Sequence, residues 1–192
     1  DVCEWHTQEE YLAHSVDVLG RLAARYRTMP SLHAIEVLNE PRWDVPTLLL
    51  ETYYRRGYDA IRAHCPDDRV AVVFHDGFRS HDEFAPLFRD SPLENVIFDV
   101  HRYQCFARED LDMDIHGHLQ KAGVSWRAEA AAIQSGLGVP AICGEWSLGL
   151  DLKRGCPDPF QEDVALRAYA AAQLLTFEHY RGWFFWSYRT ET

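Results

Sequence analysis

Basic charge, cysteine pairs and long apolar runs are scarce in this sequence, and each shortage excludes a class of function. Lys and Arg number 19 against 30 Asp and Glu, a formal net charge of −11. A nucleic acid partner is therefore not expected, because neutralising phosphates requires clustered cations and no such cluster occurs. The five cysteines, Cys3, Cys65, Cys105, Cys143 and Cys156, are odd in number and widely spread, and none forms a C-x-x-C pair. Neither a zinc site nor a complete disulfide framework is indicated, and free, mostly packed thiols are expected. His116-Gly117-His118 is a close pair of ligand-type side chains, and without further partners nearby it does not make a metal site. No metal and no cofactor are expected. No stretch of about 18 apolar residues could span a bilayer, and no basic segment followed by an apolar one opens the chain. A soluble protein without a membrane partner is expected, its compartment unspecified. The chain starts at Asp1 rather than a methionine, which suggests a start inside a longer reading frame.

What the sequence has in quantity is core-forming material. Of its 192 residues 47% are hydrophobic and 13% aromatic, enough to bury a sizeable core in a single domain covering 1–192. Five short apolar runs, at 34–38, 70–74, 96–100, 141–143 and 183–186, alternate with longer segments of helical periodicity. That alternation is the pattern of repeated βα units around a parallel sheet. The first three runs are rich in Val, Ile and Phe with little alternation, as strands buried on both faces should be.

Between the runs, Leu12, Val16, Leu19, Ala23 and Tyr26 recur at helical spacing. A second helix is expected to start at Pro46 and run over 47–64, and a short one follows Ser80. Ser125 reads as the N-cap of a helix ending at 135, with Gly136 and Gly138 as its exit. A last long helix is expected over 161–180. The runs start at 34, 70, 96, 141 and 183, which suits the ~31 residues per unit of a full eight-unit barrel of ~250 residues. The expected fold is therefore α/β, an incomplete (β/α)8 barrel containing about five βα units.

In such barrels the polar residues at the C-terminal ends of strands face the active site. The five runs end in Asn39-Glu40-Pro41, His75-Asp76, His101-Arg102-Tyr103, Glu145-Trp146 and Trp186-Ser187. Glu40 and Glu145 can point into one bowl, and glycoside cleavage needs two carboxyls, one to protonate the leaving oxygen and one to attack the sugar carbon. Glu36 lies deeper in its strand and fits inner hydrogen bonding. His101 and Tyr103 share parity on one strand, so both can face the same way. Trp186 suits a floor for a sugar, since aromatic faces pack on the apolar C–H face of a pyranose. Ordinary core packing is expected for Trp183, Phe184 and Phe185. His75 and Asp76 are weaker candidates.

Four segments resemble glycoside hydrolase family 5, in the branch of exo-β-1,3-glucanases and β-glucosidases. They are Ile35-Glu36-Val37-Leu38-Asn39-Glu40-Pro41, Phe98-Asp99-Val100-His101-Arg102-Tyr103-Gln104-Cys105-Phe106, Gly144-Glu145-Trp146-Ser147 and Gly182-Trp183-Phe184-Phe185-Trp186-Ser187-Tyr188-Arg189-Thr190-Glu191. The resemblance implies a retaining β-glycoside hydrolase with a β-glucoside or β-glucan as substrate. It makes Glu40 the acid/base, Glu145 the nucleophile and Asn39 the partner of the sugar 2-hydroxyl. It also places His101 and Tyr103 beside the nucleophile, with Tyr103 orienting Glu145, and Phe106 at the entrance. Retention implies carboxyls ~5–5.5 Å apart. The family's first three strands supply an arginine and a histidine that have no counterpart in this chain, so activity weakened by truncation is expected. The alternative is a carbohydrate-binding remnant without turnover. An esterase is disfavoured because no Gly-x-Ser-x-Gly elbow occurs. Five parallel strands cannot close on themselves, so a homodimer or higher symmetric oligomer covering the open edges is also expected.

Overall fold

The structure is a computed structural model that describes residues 4–66, 69–89, 93–150, 152 and 158–189. Five parallel strands follow one another in the order β1-β2-β3-β4-β5, and helices separate them in sequence. The chain forms two compact units, one running to Asp99 with Leu137–Val139, the other comprising Val100–Gly136 and the chain from Pro140.

The first unit contains α1 (Glu9–Tyr26), β1 (Ala34–Glu36), α2 (Thr47–Arg62), β2 (Ala71–His75), α3 (Ala85–Arg89) and the start of β3 (Val96–Arg102). Its core forms where α2 packs on β2, with Phe84 bridging to β3. Tyr54 stacks on Phe74 at 4.9 Å between ring centroids, and Phe84 meets Phe98 at 5.5 Å. The Tyr54 hydroxyl donates to the His75 carbonyl at 2.7 Å, which settles the polar atom that this burial would otherwise strand. Burial also pushes the Tyr54 phenol well above its usual pKa. α2 approaches β1 closely enough that a Cβ on Gly57 would lie 2.6 Å from Val37 Cγ1. Glycine at this helix position is a packing requirement.

The second unit takes the end of β3, then α4 (Arg108–Leu111), α5 (Ile115–Gln120), a π turn (Lys121–Ser125), α6 (Trp126–Gly136), β4 (Ala141–Trp146), α7 (Pro159–Phe177) and β5 (Trp183–Phe185). Trp146 is the hub of its core, edge-on or tilted against Phe177, Trp183 and Phe185. The Thr176 hydroxyl donates to the Ala122 carbonyl at 2.7 Å, so α7 satisfies a backbone group inside the π turn. No helix among the described residues is long and apolar enough to cross a membrane.

Three expectations need correction. Ser125 caps nothing: the helix starts ten residues earlier, where the Asp114 side chain accepts from Gly117 N–H, and it continues through the π turn into α6. The last helix starts at Pro159, two residues before the expected 161, because Asp158 accepts from Gln161 N–H and Pro159 needs no N–H partner at its first turn. Trp183, Phe184 and Phe185 are 37%, 60% and 44% exposed rather than core. Trp183 and Phe185 pack on Trp146 by one face only, while Phe184 alternates to the other side of the strand.

Candidate active site

In the first unit, β1 continues its pairing one residue beyond the strand, through Val37 N–H to the Val73 carbonyl at 3.0 Å. The chain then turns outward: Asn39 is exposed and Glu40 half-buried. Glu40 has φ 45, a left-handed backbone that non-glycine residues rarely adopt and that costs on the order of 1–3 kcal/mol. Pro41 follows it directly. Strain of this kind persists only where the surroundings hold it, and it clusters at functional positions.

What holds this loop is Arg79. Its Nη2 donates to the carbonyls of Trp43 at 3.0 Å, Arg42 at 3.4 Å and Val45, and its Nη1 to that of Gly77 at 3.2 Å. Arg42 in turn forks onto Asp44 through Nε and Nη2, and that hydrogen-bonded guanidinium lowers the Asp44 carboxyl below its usual pKa. The end of β2 carries a second tight turn. Gly77 N–H donates to His75 Nδ1 and Phe78 N–H to Asp76 Oδ1, both at 2.8 Å. His75 and Asp76 are buried, and these bonds give them a turn-building part. A pocket of about 350 Å³ lies over these two loops, lined by Asn39, Glu40, Pro41, Arg42, Trp43 and Phe78 among others.

In the second unit, Glu145 lies near the end of β4. The Tyr103 hydroxyl donates to Glu145 Oε2 at 2.7 Å, and His101 Nδ1 is 3.6 Å from the same oxygen. Both side chains come from one face of β3 and its continuation, which is the parity of residues two apart. His101 is 3% exposed, and its carbonyl accepts from Arg102 Nη1 at 2.8 Å while Arg102 Nη2 reaches Glu129 at 3.0 Å. Phe106 is 77% exposed, edge-on to Tyr103 at 5.5 Å. Trp186 is 59% exposed, and its N–H continues the β4–β5 ladder to the Trp146 carbonyl at 2.8 Å. Its peptide bond to Ser187 is cis. Gln173 Nε2 donates to the Ser147 carbonyl at 3.0 Å, anchoring the chain just after Glu145 to α7.

Strained Glu40 at one strand end and hydrogen-bonded Glu145 at another find their context in the sequence as a whole. Residues 2–191 match the family described as Cellulase (glycosyl hydrolase family 5). The chain belongs to glycosyl hydrolase family 5. Among curated relatives it is 28% identical to the glucan 1,3-beta-glucosidase of Lachancea kluyveri, over 96% of this chain and 50% of that protein. It is 30% identical to the glucan 1,3-beta-glucosidase of Candida oleophila, over 93% and 49% respectively. The chain thus spans about half the length of these relatives. Endo-glycoceramidase II from Rhodococcus sp., in its lactosyl-enzyme intermediate, superposes with a TM-score of 0.64 over 97% of this chain and 42% of that one, at 24% identity. That likeness shows the fold: a partial (β/α)8 barrel of five βα units.

Glu36 is half-buried within β1. His116 is exposed whereas His118 is buried, its Nδ1 2.7 Å from Gln104 Oε1, so the two histidines face apart. Trp43 and Phe78 were not singled out by sequence, although each follows a strand-end carboxylate by two or three positions. An aromatic so placed in a loop is the signal that could have found them.

Proposed function

We propose that this chain acts as a retaining β-glycoside hydrolase of the β-glucosidase or exo-β-1,3-glucanase type, with Glu145 as nucleophile and Glu40 as acid/base. The observation that supports it most is the fixed state of Glu145, whose Oε2 receives the Tyr103 hydroxyl and has the buried His101 beside it. With Oε2 held, Oε1 is the oxygen that attacks. Glu145 bonds to the anomeric carbon as the glycosidic C–O bond breaks, and Glu40 gives its proton to the departing oxygen. Glu40, now a carboxylate, then takes a proton from water. The water oxygen attacks the same carbon, and Glu145 leaves with configuration retained. Asn39 holds the sugar 2-hydroxyl, a contact that strengthens toward the oxocarbenium-like transition state, and Trp186 with Phe106 offers aromatic faces to the sugar. The substrate is a β-glucoside or β-glucan, in line with the names of the relatives.

Azide rescue tests the roles. In the protein carrying this chain, Glu145→Gly with azide should release the α-glycosyl azide from an activated β-glucoside, and Glu40→Ala the β-glycosyl azide. Reversed products would exchange the roles, and wild type that binds but never turns over would leave a binding remnant.

We further propose self-association through β1 and β5, the two ends of the strand order. Sedimentation at micromolar concentration should give a multiple of 22.2 kDa. A stable, well-folded monomer would overturn it.

A further inference from the structure

The loop that carries Glu40 also shapes the pocket beside it, and the chemistry of that pocket is lopsided. Among the described residues that line it, Trp5, Leu38, Pro41, Trp43 and Phe78 are apolar, and Asn39, Glu40 and Arg42 are polar. Arg42 is forked onto Asp44, so its charge is compensated within its own loop. An anionic leaving group would find no surplus positive charge here. A second sugar would bring several hydroxyls that each need a partner once removed from water, and apart from the acid itself the wall offers Asn39 and an Arg42 already engaged.

The aromatic members are set up as a platform. Trp43 is 72% exposed and Phe78 51% exposed, an arrangement that leaves large apolar surface in water. Their backbones are nonetheless fixed, Trp43 through its carbonyl to Arg79 at 3.0 Å and Phe78 through its N–H to Asp76, with Phe78 held at a left-handed φ of 59. Trp5 is braced from behind by Tyr53, ring centroids 4.9 Å apart. Exposed rings on an immobilised backbone, strained at Phe78, fit a ligand-facing role better than core packing.

We propose that this pocket is the leaving-group site and that it selects an apolar aglycone, so that the preferred substrates are aryl or long-chain alkyl β-glucosides rather than β-glucans. The proposal rests on Glu40 being the acid: the proton donor stands beside the leaving oxygen, so the wall on the far side of Glu40 from the glucosyl ring meets the aglycone. Trp43 and Phe78 then cover the apolar body of the aglycone, and Asn39 stays with the glucosyl ring.

The test compares octyl β-glucoside, laminaribiose and β-glucosyl fluoride, whose leaving fluoride is too small to occupy the pocket, in wild type, Trp43→Ala and Phe78→Ala. Wild type should have a kcat/KM for octyl β-glucoside at least about tenfold above that for laminaribiose, and each variant should lower the octyl-to-fluoride ratio by about tenfold, the scale of a lost aromatic contact. An unchanged ratio, or laminaribiose preferred by wild type, overturns the proposal. Calorimetry with octyl β-thioglucoside, which is not cleaved, separates the two readings. If wild type hydrolyses none of the three yet binds the thioglucoside in a Trp43-dependent way, the pocket stands and the hydrolase assignment falls. If neither turnover nor binding occurs, both fall.

Discussion

Tyr103 and Glu145 are joined by a hydrogen bond of 2.7 Å from the phenol to Oε2, across strands β3 and β4 of the same compact unit. A bond from a neutral donor to a carboxylate contributes on the order of 1.5–3 kcal/mol, and here it also selects the carboxylate rotamer. On the proposed mechanism Tyr103→Phe should lower kcat for a β-glucoside by about 10- to 100-fold with KM changed little, because the orientation of Glu145 would matter most in the bond-forming step. Steady-state kinetics on the variant checks this, and an unchanged kcat would remove Tyr103 from the site.

The left-handed backbone of Glu40 predicts an inversion of the usual order of glycine and alanine. At an ordinary position alanine is the more stabilising residue, since glycine has more freedom to lose on folding. At φ 45 the Cβ itself is the problem, at roughly 1–2 kcal/mol. Glu40→Gly should therefore be more stable than Glu40→Ala by about 1 kcal/mol, or 2–4 °C in Tm for a domain of this size. Both variants lack the carboxyl, so thermal unfolding of the pair isolates the backbone. Equal stabilities would mean that the strain is relieved elsewhere.

Burial lowers the pKa of His118 below its usual value, with Lys121 adding to the effect and Asp110 and Asp114 opposing it. The neutral ring fits its contact, since Nδ1–H can donate to Gln104 Oε1. A histidine whose folded pKa is depressed binds fewer protons folded than unfolded, so its stabilising contribution is complete above about pH 6.5 and is lost as pH falls toward the folded value. Urea midpoints at pH 7.5 and 5.5 should thus differ more for wild type than for His118→Gln. An equal difference in both proteins would show that His118 stays neutral, or charges equally, in both states.

The strands were legible because a strand buried on both faces reads as a continuous apolar run, and β2 and β3 open with such runs, Ala71 to Phe74 and Val96 to Phe98. Polar groups at strand ends were legible in the same way, and they supplied the candidates Glu40, Glu145, His101 and Tyr103. Helix starts were harder. A serine within a longer helix looks like a cap, and only the π turn over Lys121–Ser125 shows why the periodicity breaks without the helix ending. The exposure of Trp183, Phe184 and Phe185 escaped the sequence because an aromatic run reads as core whether one face or two are covered. Trp43 and Phe78 escaped it for a different reason: loop residues have no period, and Trp43 is placed by the sequence-distant Arg79 while Phe78 is placed by the turn at Asp76.

That arginine separates two things that usually change together. Arg79 grips the loop after β1 only by peptide carbonyls, those of Arg42, Trp43 and Val45, and every amino acid presents the same carbonyl. The side chains at 42 and 43 can therefore be exchanged without removing the guanidinium's contacts to the path of the chain. The pocket wall at Arg42 and Trp43 is free to drift in sequence while the strained Glu40 upstream keeps its backbone, so a change in what the pocket accepts need not disturb that glutamate.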